Sequence, residues 1–569
     1  MLEKSVITPL EQPSKAAPVS DKRFNLLPVL LCALAFVACV LLMAAPLSRI
    51  HDPVIRLQTP LGGLLTAPGS WLPKDLGFTS NAIASISDTG YVEFLLLIAL
   101  MFMLYGLCAL YLLRQPAQSP THRPTRLLMC LAALLAGCIF VFTPAMLSHD
   151  IFVYAGLSRL LATYHANPYF VPLSKFPSDP FTPLNYYATS VAAYGPLWLL
   201  VCGFWGLVLA PLPVVYVLAF RVFALAAHLV NTWLVSKTLR EAGQSERVIT
   251  LGTLLYALNP LVLLESSLGG HNDVFMVTWL LLSIFLCVRA EKQGQLLQPR
   301  GYLPAIVAFA LAALVKFTAL PILILFIAFL VVRTLHASKV RSFDQLRNAQ
   351  VWKPALLTLI YAGIATGAVL LLFYGPFWVG HSIHSIRDSF SRPPSSLYSQ
   401  NSVMRSLVEW QQSQPIPRIF AIFTNRKIWD NIDLVTLAAL LVFSIIWMWR
   451  APSICTFVLA SLATLGILLI VTPWFYSWYI TWLIALAAVA LPISDSRPGR
   501  ALLAFSLTFS ITSFMTYFFK DGLPPYGNWA PLVSPINIIP TLLVLLITWL
   551  IFRPKIRSVQ TQARDANQV

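Results

Sequence analysis

The sequence predicts an all-α polytopic membrane protein, and three observations predict it. Of 569 residues, 58% are hydrophobic and only 11% are charged, and the mean hydropathy is +0.74. Apolar runs of bilayer-spanning length follow one another, and their polar connections are mostly short. A soluble chain of this length would divide into several domains; the succession of apolar runs instead predicts one membrane domain, 26–552, between tails at 1–25 and 553–569.

The formal charge of +17 raises nucleic acid as a partner and does not support it, because Lys and Arg sit mainly in the short connections, where they orient a membrane protein. The eight cysteines lie in apolar segments without CxxC spacing, so they read as packing residues rather than disulfides or metal ligands.

Counting runs of about 17 to 25 apolar residues places spans near 26–46, 93–113, 127–147, 213–236, 247–265, 274–289, 302–316, 318–333, 354–374, 432–449, 453–471, 477–493, 501–518 and 536–552, about fourteen in all. The first exceeds a signal-peptide core and is followed by no clear small-x-small cleavage site, so it is expected to remain uncleaved. The 302–333 stretch reads as a hairpin broken around Lys316 and Pro321. With the N-terminus inside, the basic connections all fall on the cytoplasmic side and both termini are cytoplasmic. Counting 196–211, "PLWLLVCGFWGLVLAP", as a span would reverse every later basic loop. Bounded by Pro196 and Pro211, it is expected to be re-entrant or interfacial. The unusual material then gathers on the outer face: 47–92, 148–194, "GGHND" at 269–273, 375–431, "TPWFYSW" at 472–478 and "KDGLPPYGNW" at 520–529.

Asp150 follows the third span. Val153, Leu157, Leu160, Leu161 and Tyr164 recur at helical spacing opposite Ser158, Arg159 and Thr163, which predicts a helix along the outer interface. Asp150 is then either an N-cap or a base at the water boundary, and the two readings are compatible. The aromatic, Pro-rich run from "NPYFVPL" through Lys175 to Tyr194 in "YYATSVAAYGPLW" suits a wall against sugar or lipid; a membrane-interface aromatic belt is the competing reading. "NPLVLLESSLGGHND" puts Glu265, His271, Asn272 and Asp273 within nine positions at a membrane exit, costly unless the groups pair or reach water; a capped turn is its plainer alternative. Lys316 and Arg221 sit in or beside apolar segments. Either could snorkel, or Lys316, with Arg159, Lys175 or Arg387, could neutralise an anionic lipid phosphate. No GxGxxG after a strand, GxxxxGK[ST] or HExxH occurs, and a donor carried by membrane lipid fits an outer site better than a sugar nucleotide.

At these residues the chain resembles the GT-C superfamily of integral membrane glycosyltransferases, and in particular the bacterial polyprenyl-phosphate-mannose-dependent α-(1→6)-mannopyranosyltransferase family. "SHDIFVYAGL", "NPY", "YGPLW", "NPLVLLE", "GGHND", "VKFTALP" and "TPWFYSW" stand in family order across about 140–480. The resemblance implies metal-free and cofactor-free transfer of a hexose, mannose in that family, from polyprenyl phosphate to a glycan or lipid-linked acceptor, with an outer-face catalytic segment at about 148–211 in the plasma membrane. It places Asp150 as base. The expected mechanism is single displacement with inversion at C1, Lys316 and a nearby cation (Arg159 or Lys175) stabilising the phosphate, and His271, Asn272, Asp273 and Tyr194 orienting sugar or acceptor. Two extra spans precede Asp150 compared with many relatives, so Asp52, Asp75 and Asp88 are rival acids, ranked lower for lack of the accompanying helix and Asn-Pro-Tyr turn. A transporter is the main alternative class; no inverted repeat is evident and the polar clusters favour one face.

Overall fold

The computed structural model describes residues 25–49, 72, 89–413, 417–519 and 529–552. Their secondary structure is helical apart from an isolated parallel bridge between Gln400 and Trp474. The rival acids Asp52, Asp75 and Asp88, residues 520–528 and nearly all of both tails lie outside the described residues.

Each expected span falls on helix. In chain order these are α1 (Leu27–Arg49), α2 (Thr89–Leu113), α3 (His122–Val141), then, beyond two short helices α4 (Asp150–Ala162) and α5 (Pro196–Val208), α6 (Pro213–Glu241), α7 (Glu246–Ala257) with α8 (Pro260–Ser267), α9 (Asp273–Lys292), α10 (Pro299–Val315), α11 (Leu320–Ala337), α12 (Trp352–Trp378), then, beyond the short helix α13 (Val403–Ser413) of the expected outer loop, α14 (Arg426–Arg450), α15 (Ile454–Val471), α16 (Ile480–Ala490), α17 (Arg497–Thr512) and α18 (Val533–Ile551). Among the described residues ten helices are long and apolar enough to cross a membrane, and α7 with α8, bent by 49°, makes an eleventh. Proline and polar residues cut α10, α16 and α17 shorter than that. At 1.5 Å per residue, the 13 residues of α5 reach about 20 Å against a hydrocarbon core of about 30 Å.

The α7–α8 bend shows how a break is tolerated in lipid. Pro260 cannot donate a backbone hydrogen bond; Asn259 caps α8 by accepting from the Leu261 and Val262 amides at 3.1 and 3.2 Å. His228 Nε2 meets the freed Ala257 carbonyl at 3.1 Å, so the broken backbone stays satisfied. Helices α9, α10 and α16 form the centre, whereas α12 and α14 turn side chains such as Leu356, Ile364, Val442 and Phe443 outward, as peripheral helices in lipid do.

One end of the bundle is laced by ion pairs: Arg126 with Glu246, Lys292 with Glu241, and Arg333 with Glu291. The opposite end carries α4 and α5. These two touch closely because residue 206 is glycine: a Cβ there would lie 2.5 Å from the Ser158 carbonyl oxygen. Ser158, expected on a solvated face, is therefore buried against α5 and donates to the Tyr154 carbonyl at 2.9 Å. The segment between them is organised by buried Asp179, which accepts from Arg159 Nε at 2.8 Å and the Tyr164 hydroxyl at 2.9 Å. Asn167 makes the Asn-Pro-Tyr turn by accepting from the Tyr169 amide at 3.2 Å.

Candidate active site

Asp150 owes its position to a buried arginine. After α3 ends, Arg221 on α6 donates to the carbonyls of Val141, Thr143 and Ala145 at 3.1, 2.6 and 2.6 Å. Its charge thus faces the carbonyl end of a helix, which favours a cation, and the 142–149 connection is fixed. Arg221 is fully buried and does not snorkel. Residue 149 is the N-cap of α4 and Asp150 is its first residue. The Asp150 side chain makes no cap and points instead to other elements. Its Oδ2 accepts from the Tyr194 hydroxyl at 3.3 Å, lies 3.5 Å from the Tyr154 hydroxyl and 3.7 Å from His271 Nδ1.

The "GGHND" turn folds His271 back over the helix it leaves. Gly270 has φ +62°, a conformation that favours glycine, and a Cβ on Gly269 would lie 2.5 Å from His271 Cδ2. His271 Nε2 thereby comes 3.3 Å from Glu265 Oε2, and its ring stacks on Trp478 at 3.9 Å between centroids. Glu265 in turn accepts from the Tyr517 hydroxyl at 2.5 Å. Burial pushes the His271 pKa down, but the Asp150 and Glu265 carboxylates on its two sides outweigh burial and hold it at about 9. For Asp150 burial acts upward, and His271, Lys316 and Tyr194 outweigh it, so its carboxyl is held below the ordinary value. Burial, then the Asp150 charge, pushes the Tyr194 phenol well above its ordinary range. At neutral pH the set is carboxylate, imidazolium and neutral phenol.

A second ion pair lies beside it. Lys316 is the extended residue between α10 and the turn that opens α11, as the broken-hairpin reading expects. Its Nζ donates to both Asp273 oxygens at 2.8 and 3.0 Å and sits 4.1 Å from the centre of the Tyr479 ring. Trp482 Nε1 also donates to Asp273, at 2.7 Å. The Gly195 amide donates to the Val315 carbonyl at 3.1 Å, and a Cβ on Gly195 would be 2.1 Å from the Leu314 oxygen. This backbone contact sets Tyr194 beside Lys316.

Asp150, Tyr194 and Lys316 line the inner end of a 580 Å³ cavity whose walls include Leu434, Leu437, Leu465 and Leu469, with Arg426, Asp430 and Asp433 also lining it. Arg426 is held by Asp430 at 2.8 Å and by the Tyr398 and Ser395 carbonyls. Asp150 also borders a 120 Å³ chamber lined by Ser148, His149, Gln400, Asn401, Thr516 and Tyr517 among others.

The structure thus brings Asp150, Tyr194, Lys316, His271, Asn272 and Asp273 together in two layers. The first three face the large cavity, while His271, Asn272 and Asp273 are buried behind them. Arg159 is committed to Asp179, and Lys175 is exposed on a short turn outside both cavities. Sequence reading did not single out Tyr154, Trp478, Tyr517 or Arg426. Tyr154 stands within "SHDIFVYAGL" and Trp478 within "TPWFYSW", whereas Tyr517 meets Glu265 only across 252 residues of chain.

A many-helix membrane protein with a paired-charge site at the end of an apolar-walled cavity has the build of an integral membrane enzyme. Its particular kind is indicated by comparison: the family model described as alpha-(1->6)-mannopyranosyltransferase, N-terminal domain, matches residues 60–333, so this segment, nearly half of the chain, is similar to that family. The segment holds Asp150, Tyr194, Glu265, the "GGHND" turn and Lys316, and the match supports glycosyltransferase activity of the mannosyltransferase kind. No curated protein and no solved structure matches the chain.

Proposed function

We propose that the protein transfers a hexose, mannose by its family, from a polyprenyl-phosphate sugar to a hydroxyl of a glycan or lipid-linked acceptor, with inversion at C1. The observation that carries this reading is the 580 Å³ cavity that joins leucine walls to a carboxylate and an ammonium group. An isoprenoid tail suits the walls. A sugar phosphate suits the charged end.

In the reaction the acceptor hydroxyl gives its proton to Asp150 as its oxygen bonds to C1, the bond from C1 to the phosphate oxygen breaks, and polyprenyl phosphate leaves with the electron pair. One displacement inverts the anomeric centre. Asp150 is suited to this role because it is ionised and 17% exposed, so it is open to substrate yet sheltered. Lys316 uses two of its three N–H donors on Asp273. The third is available to a phosphate oxygen, where a charge-assisted hydrogen bond favours the leaving group. Asn272, Asp273 and His271 position Tyr154, Lys316 and Asp150 from behind. Arg159 and Lys175, off the cavity, keep at most a long-range role toward the phosphate.

The ion-paired, Arg- and Lys-rich end of the bundle is proposed as cytoplasmic. That sets Asp150 on the outer face of the plasma membrane and both tails, 1–25 and 553–569, inside, around the membrane domain 26–552. The test is to incubate membranes bearing the protein with a panel of labelled polyprenyl-phosphate sugars and to identify product and linkage. The expected result is one inverted glycosidic product, with mannose preferred. Label that crosses the bilayer unchanged, with no glycoside formed, supports transport instead and ends the proposal.

A further inference from the structure

We infer that Asp433 is a specificity-determining residue for the donor, its carboxylate accepting a hydrogen bond from one hydroxyl of the hexose that the lipid phosphate carries. This inference rests on the transferase reading and concerns a residue that the displacement itself does not use. Asp433 lines the large cavity with Arg426 and Asp430. Their spacing puts all three on one face of α14.

A carboxylate at this place is costly without a ligand. Asp433 stands about 10 Å along α14 from Arg426, and the helix is only 11% buried, with Leu434 and Val435 turned outward as in a lipid-facing span. Ionisable groups in such helices are rare, and they either pair or face a cavity that serves a substrate. Asp433 has the cavity and lacks the partner: its Oδ1 is buried with no hydrogen-bond partner among the described residues. Arg426 does not supply one. Its Nε donates to Asp430 at 2.8 Å, and its two terminal nitrogens donate to the Tyr398 and Ser395 carbonyls at 2.6 and 2.8 Å. An unsatisfied buried carboxylate oxygen is destabilising, so the molecule that fills the cavity is one that brings a donor to it.

This requirement sorts the parts of the lipid-linked sugar. An isoprenoid has no polar hydrogen to give and suits Leu437, Leu465 and Leu469. The phosphate is an anion that a carboxylate repels, and Lys316 answers it. The sugar hydroxyls remain, and a carboxylate accepts from them in charge-assisted hydrogen bonds. An ammonium group of a membrane lipid is the competing partner, and it would leave every sugar hydroxyl without influence on Asp433. Asp150 and Lys316 lie within the 60–333 segment that matches the family model, whereas Asp433 lies beyond it. The reading of the donor sugar is thus placed partly in the other half of the chain.

The experiment uses the full-length protein in proteoliposomes, with methyl α-mannopyranoside as acceptor, and compares polyprenyl-phosphate mannose with each of its four monodeoxy analogues as donors. Wild type is expected to lose about 10- to 100-fold in kcat/KM on one analogue through this contact, the range of a hydrogen bond to a charged group. Asp433→Asn and Asp433→Ala are expected to lose a similar factor on the parent donor, and to treat that one analogue and the parent alike within about threefold. Their unfolding temperatures should not fall, because each substitution removes a charge that has no partner. The same pattern of losses across the analogues in wild type and both variants overturns the assignment, as does a change confined to the acceptor KM, and either result leaves the transferase reading standing. A wild-type protein that consumes no donor overturns that reading and this inference together.

Discussion

Glu265→Gln tests the charge logic of the site without touching the reacting atoms. Glu265 Oε2 lies 3.3 Å from His271 Nε2, and at an effective dielectric of about 20 two unit charges at that distance attract by ~5 kcal/mol. Burial opposes this gain. The net effect of both carboxylates is a His271 pKa of about 9 in place of 6.5, equivalent to about 3 kcal/mol. Because the folded value is raised, the stabilisation is fully present below pH 6.5 and is lost as pH rises through about 9. Glutamine keeps an acceptor for Tyr517 and removes one of the two charges, while burial of the imidazole is unchanged. The imidazolium then titrates nearer neutrality, and Asp150 loses the cation that holds its carboxyl down. The assay is the pH dependence of kcat/KM for sugar transfer in proteoliposomes, wild type against Glu265→Gln, with thermal unfolding of both as a check on folding. The alkaline limb should move down by at least one pH unit, about a tenfold loss on that limb. Coincident profiles from two equally folded proteins would refute the reasoning, because His271 would then not depend on Glu265 for its proton.

Asp150→Asn keeps the side-chain size and removes the base, so transfer should fall by about 10²- to 10⁴-fold with membrane insertion intact; near-normal turnover rejects the base assignment. Lys316→Ala leaves Asp273 buried without its cation, which should cost about 3–5 kcal/mol in thermal or denaturant unfolding, in addition to weaker donor binding. Adding Asp273→Asn should recover most of that stability and none of the donor affinity; unchanged donor KM and rate in the single variant reject the phosphate role. Gly195→Ala drives a Cβ against the Leu314 oxygen at 2.1 Å, so it should displace Tyr194 from Asp150 and lower kcat more than it lowers the unfolding temperature. An active, fully stable Gly195→Ala protein shows that the 194–195 backbone can shift freely.

Apolar runs of spanning length made the helical membrane architecture legible from composition alone, and Lys316 with Pro321 marked the hairpin break because a charge inside an apolar run and a proline shortly after it both argue against one continuous span. The shortness of 196–211 was likewise visible, as was the concentration of polar groups in "GGHND". The number of long spans was less legible, since a hydropathy run does not show where a bend at Asn259 and Pro260 divides it or where α10, α16 and α17 stop.

Local sequence thus determined which segments enter the bilayer and which residues were too polar to sit there without a reason, because transfer into lipid is decided residue by residue. Partner choice was decided only by the tertiary structure. Lys316, which the sequence offers for snorkelling or for a lipid phosphate, is paired with Asp273; Arg221, which the sequence offers for snorkelling, organises the approach to Asp150; His271, expected to orient sugar or acceptor, lies behind the acid, between two carboxylates. Each outcome depends on distances set by helix crossings and glycine contacts between residues far apart in the chain, and electrostatic energy inside a low-dielectric bundle is fixed by those distances rather than by position in the sequence.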